Sequence, residues 1–199
     1  MHPNIGYHWQ DRVAMRELVG ALGFGALFTA TPDGPRVAHL PVVWLDDDTL
    51  ALHIARGNAL TRHLDDAAAL FVAQGPDGYI SPDWYDQGPD EVPTWNYVAV
   101  ELEGTMRRME RDALLAQLDQ LGAEQEARLA PKPPWTRDKV APRKIEQLLR
   151  GIVGYRLEIA AWRGTLKLAQ GKPAAARLAA ADRVEAAGRR GIAHWMRSL

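Results

Sequence analysis

The chain has 199 residues, of which 47% are hydrophobic and 25% charged: one large domain, or at most two small ones, with enough apolar mass for a sizeable core. With 24 Lys plus Arg against 25 Asp plus Glu, the formal net charge of -1 argues against a generally basic nucleic-acid binder and against an acidic disordered chain. Cysteine is absent, which excludes disulfides, thiolate metal sites, iron–sulfur clusters and a cysteine nucleophile.

Residues 9–22 alternate apolar and charged positions at helical spacing, with Ala14, Leu18 and Ala21 as the expected stripe, widened by Val13 and Leu22. Gly23 and Gly25 end that helix. Phe24 to Thr29 reads as a strand, Pro32-Asp33-Gly34 as a turn, and Val37 to Leu45 as a second strand whose Pro41 marks an edge or bulge. Thr49 to Ile54 is a third strand, with Leu50, Leu52 and Ile54 alternating against Thr49, Ala51 and His53. Asn58 is placed to cap a short helix through Leu64. Ala67 to Ala73 is a fourth strand, which Pro76-Asp77-Gly78 turns into Tyr79 and Ile80. Residues 82–93 form a long excursion.

Thr94 to Met109 is a long strand, with Val98, Val100 and Leu102 on one face and Ala99, Glu101 and Glu103 on the other. Arg111 to Leu121 is a helix with Leu114, Leu115, Leu118 and Leu121 as its apolar face. Residues 131–142, with Trp135, form a second excursion. Ile145, Leu148 and Leu149 suggest a short helix ending at Gly151. Ile152 to Ala169 is another long β region, and Val153, Tyr155, Leu157 and Ile159 share a face; Gly164 is a candidate bend. Pro173 starts a final helix that reaches about Ala187. Strands not separated by regular long helices fit a doubly wound parallel sheet poorly and a small antiparallel barrel well.

The charge is uneven. Residues 1–100 hold 5 Lys or Arg against 13 Asp or Glu, and residues 161–199 hold 8 against 2. The basic tail can attract an anion, a nucleic-acid backbone or the acidic front half. No window reaches the roughly 20 apolar residues of a membrane helix, and residues 1–15 lack an apolar signal core. A cytoplasmic protein with no membrane partner is expected. There is no GxGxxG after a strand, no GxxxxGK loop, no HExxH and no Gly-x-Ser-x-Gly elbow around Ser81. His39 and His53 could meet across adjacent strands, but without a third ligand they make a poor metal site. Neither the 111–121 helix nor the 173–187 helix forms a convincing helix-turn-helix pair.

Chemistry concentrates in four stretches: His39-Leu40-Pro41-Val42; His53-Ile54-Ala55-Arg56-Gly57-Asn58; Tyr79 to Tyr85 with Val92-Pro93-Thr94-Trp95-Asn96-Tyr97; and Gly164 to Gln170. A phosphate needs charge-assisted donors, which Arg56 and Lys167 supply as types. A flat conjugated ring needs an apolar or aromatic wall and a few amide or hydroxyl contacts, which Trp95, Tyr97, Asn96 and Gln170 could supply. Each residue also has an ordinary structural reading, as a surface ion pair, an interface tryptophan or a cross-strand hydrogen bond.

These stretches resemble the PaiB-like family of FMN-binding negative transcriptional regulators, in the flavin-binding split-barrel superfamily. The resemblance lies in His-Leu-Pro at 39–41, His-x-Ala-Arg-x-Asn at 53–58, Tyr-Ile-Ser-Pro-x-Trp-Tyr at 79–85 and Val-Pro-Thr-Trp-Asn-Tyr at 92–97. It continues through Pro-Trp at 134–135, Gly-Ile-Val-Gly-Tyr at 151–155 and Gly-x-x-Lys-Leu-x-Gln at 164–170. It implies a mainly β fold with peripheral helices: a six-stranded antiparallel split β-barrel over residues 1–172 that forms a homodimer with FMN at the subunit interface. Residues 173–199 are then a basic helical tail packed on the same domain. Arg56 would take the flavin phosphate, with Asn58 among its polar neighbours, and Lys167 a second phosphate or ribityl contact. Backbone at Leu40, Pro41 and Val42 and at His53, Ile54 and Ala55 would run beside the ring. Ser81, Trp95, Asn96 and Gln170 would line or close the site.

The family's usual Lys-Leu-Ser-Gln-Asn is here Lys167-Leu168-Ala169-Gln170-Gly171, which removes a hydroxyl and an amide. Three functions follow: an FMN-binding dimeric regulator with DNA as partner through a surface no residue pattern assigns; a flavin-dependent oxidoreductase, with His39, His53 and Tyr97 as candidate proton donors or acceptors; and a barrel dimer that has lost flavin and binds another ligand.

Overall fold

The computed structural model describes residues 2–199. Its seven strands are β1 (His8–Trp9), β2 (Phe24–Thr31), β3 (Gly34–Trp44), β4 (Thr49–Ala55), β5 (Ala68–Ile80), β6 (Thr94–Arg108) and β7 (Ile152–Lys167). Five α-helices accompany them: α1 (Arg12–Leu22), α2 (Arg111–Ala127), α3 (Pro142–Leu149), α4 (Ala174–Ala186) and α5 (Arg190–Arg197). The strands form one sheet in the order β1-β7-β4-β3-β2-β5-β6, and β7 pairs with β6 as well. The fold is thus mixed α/β on a seven-stranded antiparallel sheet, one strand more than expected. The extra strand is the two-residue β1, which pairs His8 with Thr165 and Trp9 with Gly164. Two residues are too few to show alternation in a sequence. A Cβ on Gly164 would lie 2.8 Å from the Cβ of Trp9 and 2.6 Å from the Met15 sulfur, so this glycine permits β1 to close on β7 rather than bending the chain.

Contacts divide the chain into two compact units, and β5, β6 and β7 each run from one into the other. One unit comprises the chain up to Met15, Gln74–Glu101 and Arg163–Leu199; the other comprises Arg16–Ala73 and Leu102–Trp162.

In the second unit, β2 pairs with β3 from Phe24↔Pro41 to Thr31↔Gly34, and β4 pairs with β7 from Thr49↔Glu158 to Ala55↔Ile152. One face of these strands buries Leu27, Leu40, Val42, Leu50, Leu52, Ile54, Phe71 and Leu157. On the opposite face Val43 and Ala51 pack with Met109, Leu114 and Leu149 beneath α2 and α3. This is why Ala51 is buried although it alternates against Leu50 and Leu52: the helices cover the face that alternation alone assigns to solvent. Tyr155 is also buried; its phenol donates to Asp65 at 2.7 Å and to the Thr61 carbonyl at 3.1 Å, which ties β7 to the loop after β4.

In the first unit, α4 packs against α5 and the short 3-10 helix at Pro82–Tyr85. Trp195 of α5 meets the Trp9 ring edge-on at 5.6 Å. The expected helix from Pro173 to about Ala187 is α4, and α5 is a further helix that the sequence pattern did not suggest. Gly188, at φ +84, separates the two in a conformation that side chains rarely adopt.

Other expectations are corrected. Pro76-Asp77-Gly78 is not a turn, because β5 runs through it to Ile80. The α5 helix sits close there: a Cβ on Gly78 would lie 3.0 Å from Ile192, and one on Gly191 3.0 Å from Pro76. In α1 the buried residues are Met15 and Val19, while Val13 is 69% exposed, so the apolar stripe is rotated from the expected one. The helix expected from Asn58 to Leu64 shortens to a 3-10 turn at Thr61–His63, and the Asn58 side-chain Oδ1 accepts from Leu60 N at 2.9 Å.

Candidate functional site

The ladder between β3 and β4 has only three pairs, Val42↔Leu52, Val43↔Ala51 and Trp44↔Leu50. Val42 N donates to Gly23 O on the β2 side, so alternation turns the Pro41 nitrogen toward β4. Proline has no N–H to give, and the ladder stops there. Beyond it, the β4-facing edge of β3 at His39 and the β3-facing edge of β4 at Ala55 carry no pairing with each other. The side chains of Leu40, Val42 and Ile54 are buried, so these stretches offer a ligand backbone rather than side chains.

Arg56 follows at the end of β4. Its Nε donates to Arg150 O at 2.8 Å and its Nη2 to Ile152 O at 3.2 Å, which fixes the plane of the guanidinium. It lines a cleft of about 350 Å³ together with Arg108, Arg111 and Arg150. Arg111 is paired with Glu146, and Arg108 lies 3.5 Å from Asp65. Gly154 forms part of the wall, where a Cβ would come within 3.1 Å of Leu114. Glu110 and Glu146 also line the cleft, and against these two carboxylates the four arginines leave a cationic excess with the preorganised Arg56 guanidinium, a donor type that suits a phosphate.

His53 and His39 are not a pair. His39 is exposed opposite Ala26 on β2. His53 is half-buried, its Nδ1 lying 3.2 Å from Oε1 of Gln117 on α2, and burial holds its imidazole below the usual range. Gln117 is completely buried and its Nε2 has no hydrogen-bond partner. Sequence reasoning missed Gln117, Arg108, Arg111 and Arg150. For Gln117 a signal existed: it lies three residues after Leu114 and four before Leu121, on the face that packs inward. The arginines carry no such mark, because nothing in their local sequence sets them apart from ordinary surface arginines.

The remaining predicted residues lie in the first unit. Lys167 donates to Thr94 Oγ1 at 2.6 Å and its Nζ lies 5.9 Å from the centre of the Tyr7 ring. Trp95 is half-exposed, donates to Asp77 at 3.1 Å and meets Tyr79 edge-on at 6.2 Å. Gln170 is spent on its own loop: its Oε1 accepts from Leu168 N and its Nε2 donates to Leu166 O and Gly6 O. Asn96 is fully buried with neither amide atom bonded. Ser81 precedes the 3-10 helix, and its hydroxyl makes no capping bond. Among the described residues no group of three or more His, Asp or Glu is placed to hold a metal ion, and no helix is long and apolar enough to cross a membrane.

The strand order and antiparallel pairing resemble the flavin-binding split barrels. The structure of the FAD and heme binding protein from Mycobacterium smegmatis matches with a TM-score of 0.61 at 20% identity, over 84% of this chain and 75% of that one. The flavocytochrome Anf3 of Azotobacter vinelandii matches with a TM-score of 0.58 at 16% identity, over 83% and 72%. In sequence, residues 1–161 match the family described as "Putative FMN-binding domain". "Protease synthase and sporulation protein PAI 2" of Bacillus subtilis is 32% identical over 153 residues, 75% of this chain and 72% of that protein. This chain belongs to the PaiB family of FMN-binding split-barrel proteins.

Proposed function

We propose that the protein is an FMN-binding homodimer acting as a negative transcriptional regulator of the PaiB type, with flavin at the subunit interface. The observation that carries the reading is the end of β4, where the β3–β4 ladder stops at Pro41 and the next side chain along is the backbone-held guanidinium of Arg56. A flat ring could bond the backbone edges around Leu40-Pro41-Val42 and His53-Ile54-Ala55 while its phosphate meets Arg56 and the arginine-lined cleft. Asn58, whose side-chain Oδ1 accepts from Leu60 N in the turn after Arg56, is assigned to the phosphate's polar surroundings on the family resemblance. FMN, when bound, would supply a redox-active ring. Lys167, Ser81, Trp95, Asn96 and Gln170 are assigned to the same cofactor on the family resemblance.

A second copy has a surface to cover. Phe24, Ala26 and Phe28 of β2 pair with Pro41, His39 and Val37 of β3, and Ala26 and Phe28 also pair with Val72 and Leu70 of β5. Direct antiparallel partners share a face. Phe24, Phe28 and Val37 are exposed there, on the side of the sheet where α2 and α3 cover Val43, Ala51 and His53. A patch of this kind marks an interaction surface.

The test is retention of flavin. Protein incubated with excess FMN and gel-filtered should keep absorption peaks near about 370 and 450 nm at about one flavin per chain. Arg56→Ala should weaken FMN binding by more than about tenfold. Loss of all flavin from the wild-type chain would sink the reading, and an unchanged dissociation constant in the variant would remove Arg56 from it. A salt-dependent shift of the gene's own upstream DNA tests the regulatory part; no shift at low salt counts against direct repression.

A further inference from the structure

A second cavity lies apart from the Arg56 cleft and shares no lining residue with it. It holds about 520 Å³, between α2 and the segment 131–139, and is lined by Leu118, Gly122 and Ala123 on the helix and by Trp135 on the segment. That segment is bonded to α2 on both sides of Trp135. The Glu126 carboxylate accepts from the Trp135 backbone N–H at 2.8 Å and from the Lys132 ammonium. The Arg137 guanidinium donates to Asp119 at 2.7 Å. Lys139 Nζ closes the loop on itself through the Pro134 carbonyl at 2.9 Å.

These bonds hold an indole beside the helix without packing it. Trp135 is 46% exposed. The helix wall opposite contains Gly122 and Ala123, and a Cβ built on Gly122 would meet nothing within 4 Å. A tryptophan used only for packing would face side chains large enough to fill the gap. Here an aromatic side chain and a wall of small residues leave a space between them. Its volume lies in the range of about 300–1,000 Å³ typical of small-molecule sites, which pair apolar walls with a few polar groups. Those groups are Thr136, Asp138 and the Arg137–Asp119 pair at the rim. The pair neutralises itself, and the remaining carboxylate disfavours an anion.

We propose that this cavity is a second ligand site, distinct from the Arg56 cleft, which takes a small, uncharged, planar aromatic molecule against the Trp135 indole. Gly122 sets the width of the site and Trp135 gives it preference for an aromatic ring over an aliphatic one.

The experiment uses the full chain and two probes, 2-naphthol and cyclohexanol, titrated by ligand-observed NMR. Wild type should bind 2-naphthol saturably with a Kd of about 1 mM or tighter, as expected for a ligand of this size, and cyclohexanol at least about tenfold more weakly. Gly122→Leu fills the space with a good helix former, and Trp135→Leu keeps an apolar side chain without the ring; each should weaken 2-naphthol by at least about tenfold. Circular dichroism checks that both variants fold. Unsaturable binding by wild type, equal binding of the two alcohols, or undiminished 2-naphthol binding in Gly122→Leu would overturn the proposal. So would a change of oligomeric state in Gly122→Leu, which would mean that a second copy fills the space. Loss of FMN in Gly122→Leu would make the cavity part of the flavin site and would also overturn it. The 2-naphthol titration stands whether or not the chain retains FMN, so the two readings fail separately.

Discussion

The chemistry of His53 depends on its neighbours. Burial lowers its pKa below the ordinary 6.5, and the Gln117 hydrogen bond offsets this only in part. As pH falls below 6.5, the unfolded chain takes up a proton at His53 that the native chain resists. Its contribution to stability is therefore complete above that pH and is lost as pH drops toward the lowered native value. Gln117→Glu places a carboxylate beside the ring and should raise the His53 pKa; an NMR titration of the ring protons in the two proteins reads the shift. Ala169 is a second case. It stands where the family has serine, and it adopts φ +64, in the left-handed region. That conformation costs an L-residue roughly 1–2 kcal/mol, which glycine avoids at some entropic cost of its own. Ala169→Gly should raise stability by about 0.5–1 kcal/mol in urea unfolding. A loss of stability would mean that the Ala169 side chain packs.

At the scale of elements, glycines decide how closely strands and helices approach. A Cβ on Gly104 of β6 would lie 2.1 Å from the carbonyl oxygen of Glu158 on β7, a contact with backbone that no rotamer can relieve. Gly104→Ala should cost at least about 2 kcal/mol, measured by chemical denaturation, because one of the strands must move. A variant as stable as wild type would show that β6 and β7 are not in this register. The same kind of contact explains what the sequence left hidden in β5. Pro76-Asp77-Gly78 reads locally as a turn, yet Asp77 accepts from Trp95 of β6, and Gly78 admits Ile192 of α5. Long-range partners outweigh local turn preference. In α1 the periodicity was legible but its phase was not: Met15 and Val19 turn inward and Val13 outward, because the packing of the helix decides which residues lie at the centre of its apolar face.

At the scale of the molecule, the prediction concerns assembly. The exposed Phe24, Phe28 and Val37 form part of one sheet face, and fully burying each such side chain is worth roughly 1.5–3 kcal/mol. Wild-type protein should run as a dimer in light-scattering chromatography, and Phe28→Glu should shift it toward monomer. A monomeric wild type would leave flavin at a subunit interface without a physical basis. A dimer unchanged by Phe28→Glu would place the interface on another face.

The amino-acid sequence alone determined the family and most of the strands. Both follow from features local to the chain: alternation at period two along β4, β6 and β7, and short motifs such as Val-Pro-Thr-Trp-Asn-Tyr at 92–97. It offered Arg56 as a candidate phosphate ligand by type, but not the carbonyls of Arg150 and Ile152 that hold it or the three arginines that share its cleft. Nor did it reveal that Gln170 is committed to its own loop or that Gln117 stands beside His53. The Arg56 and Gln117 contacts depend on which segments, distant along the chain, fold against one another, and the Gln170 bonds on the backbone path its loop takes. A residue's type limits the bonds it can make, and only the tertiary structure selects the partner.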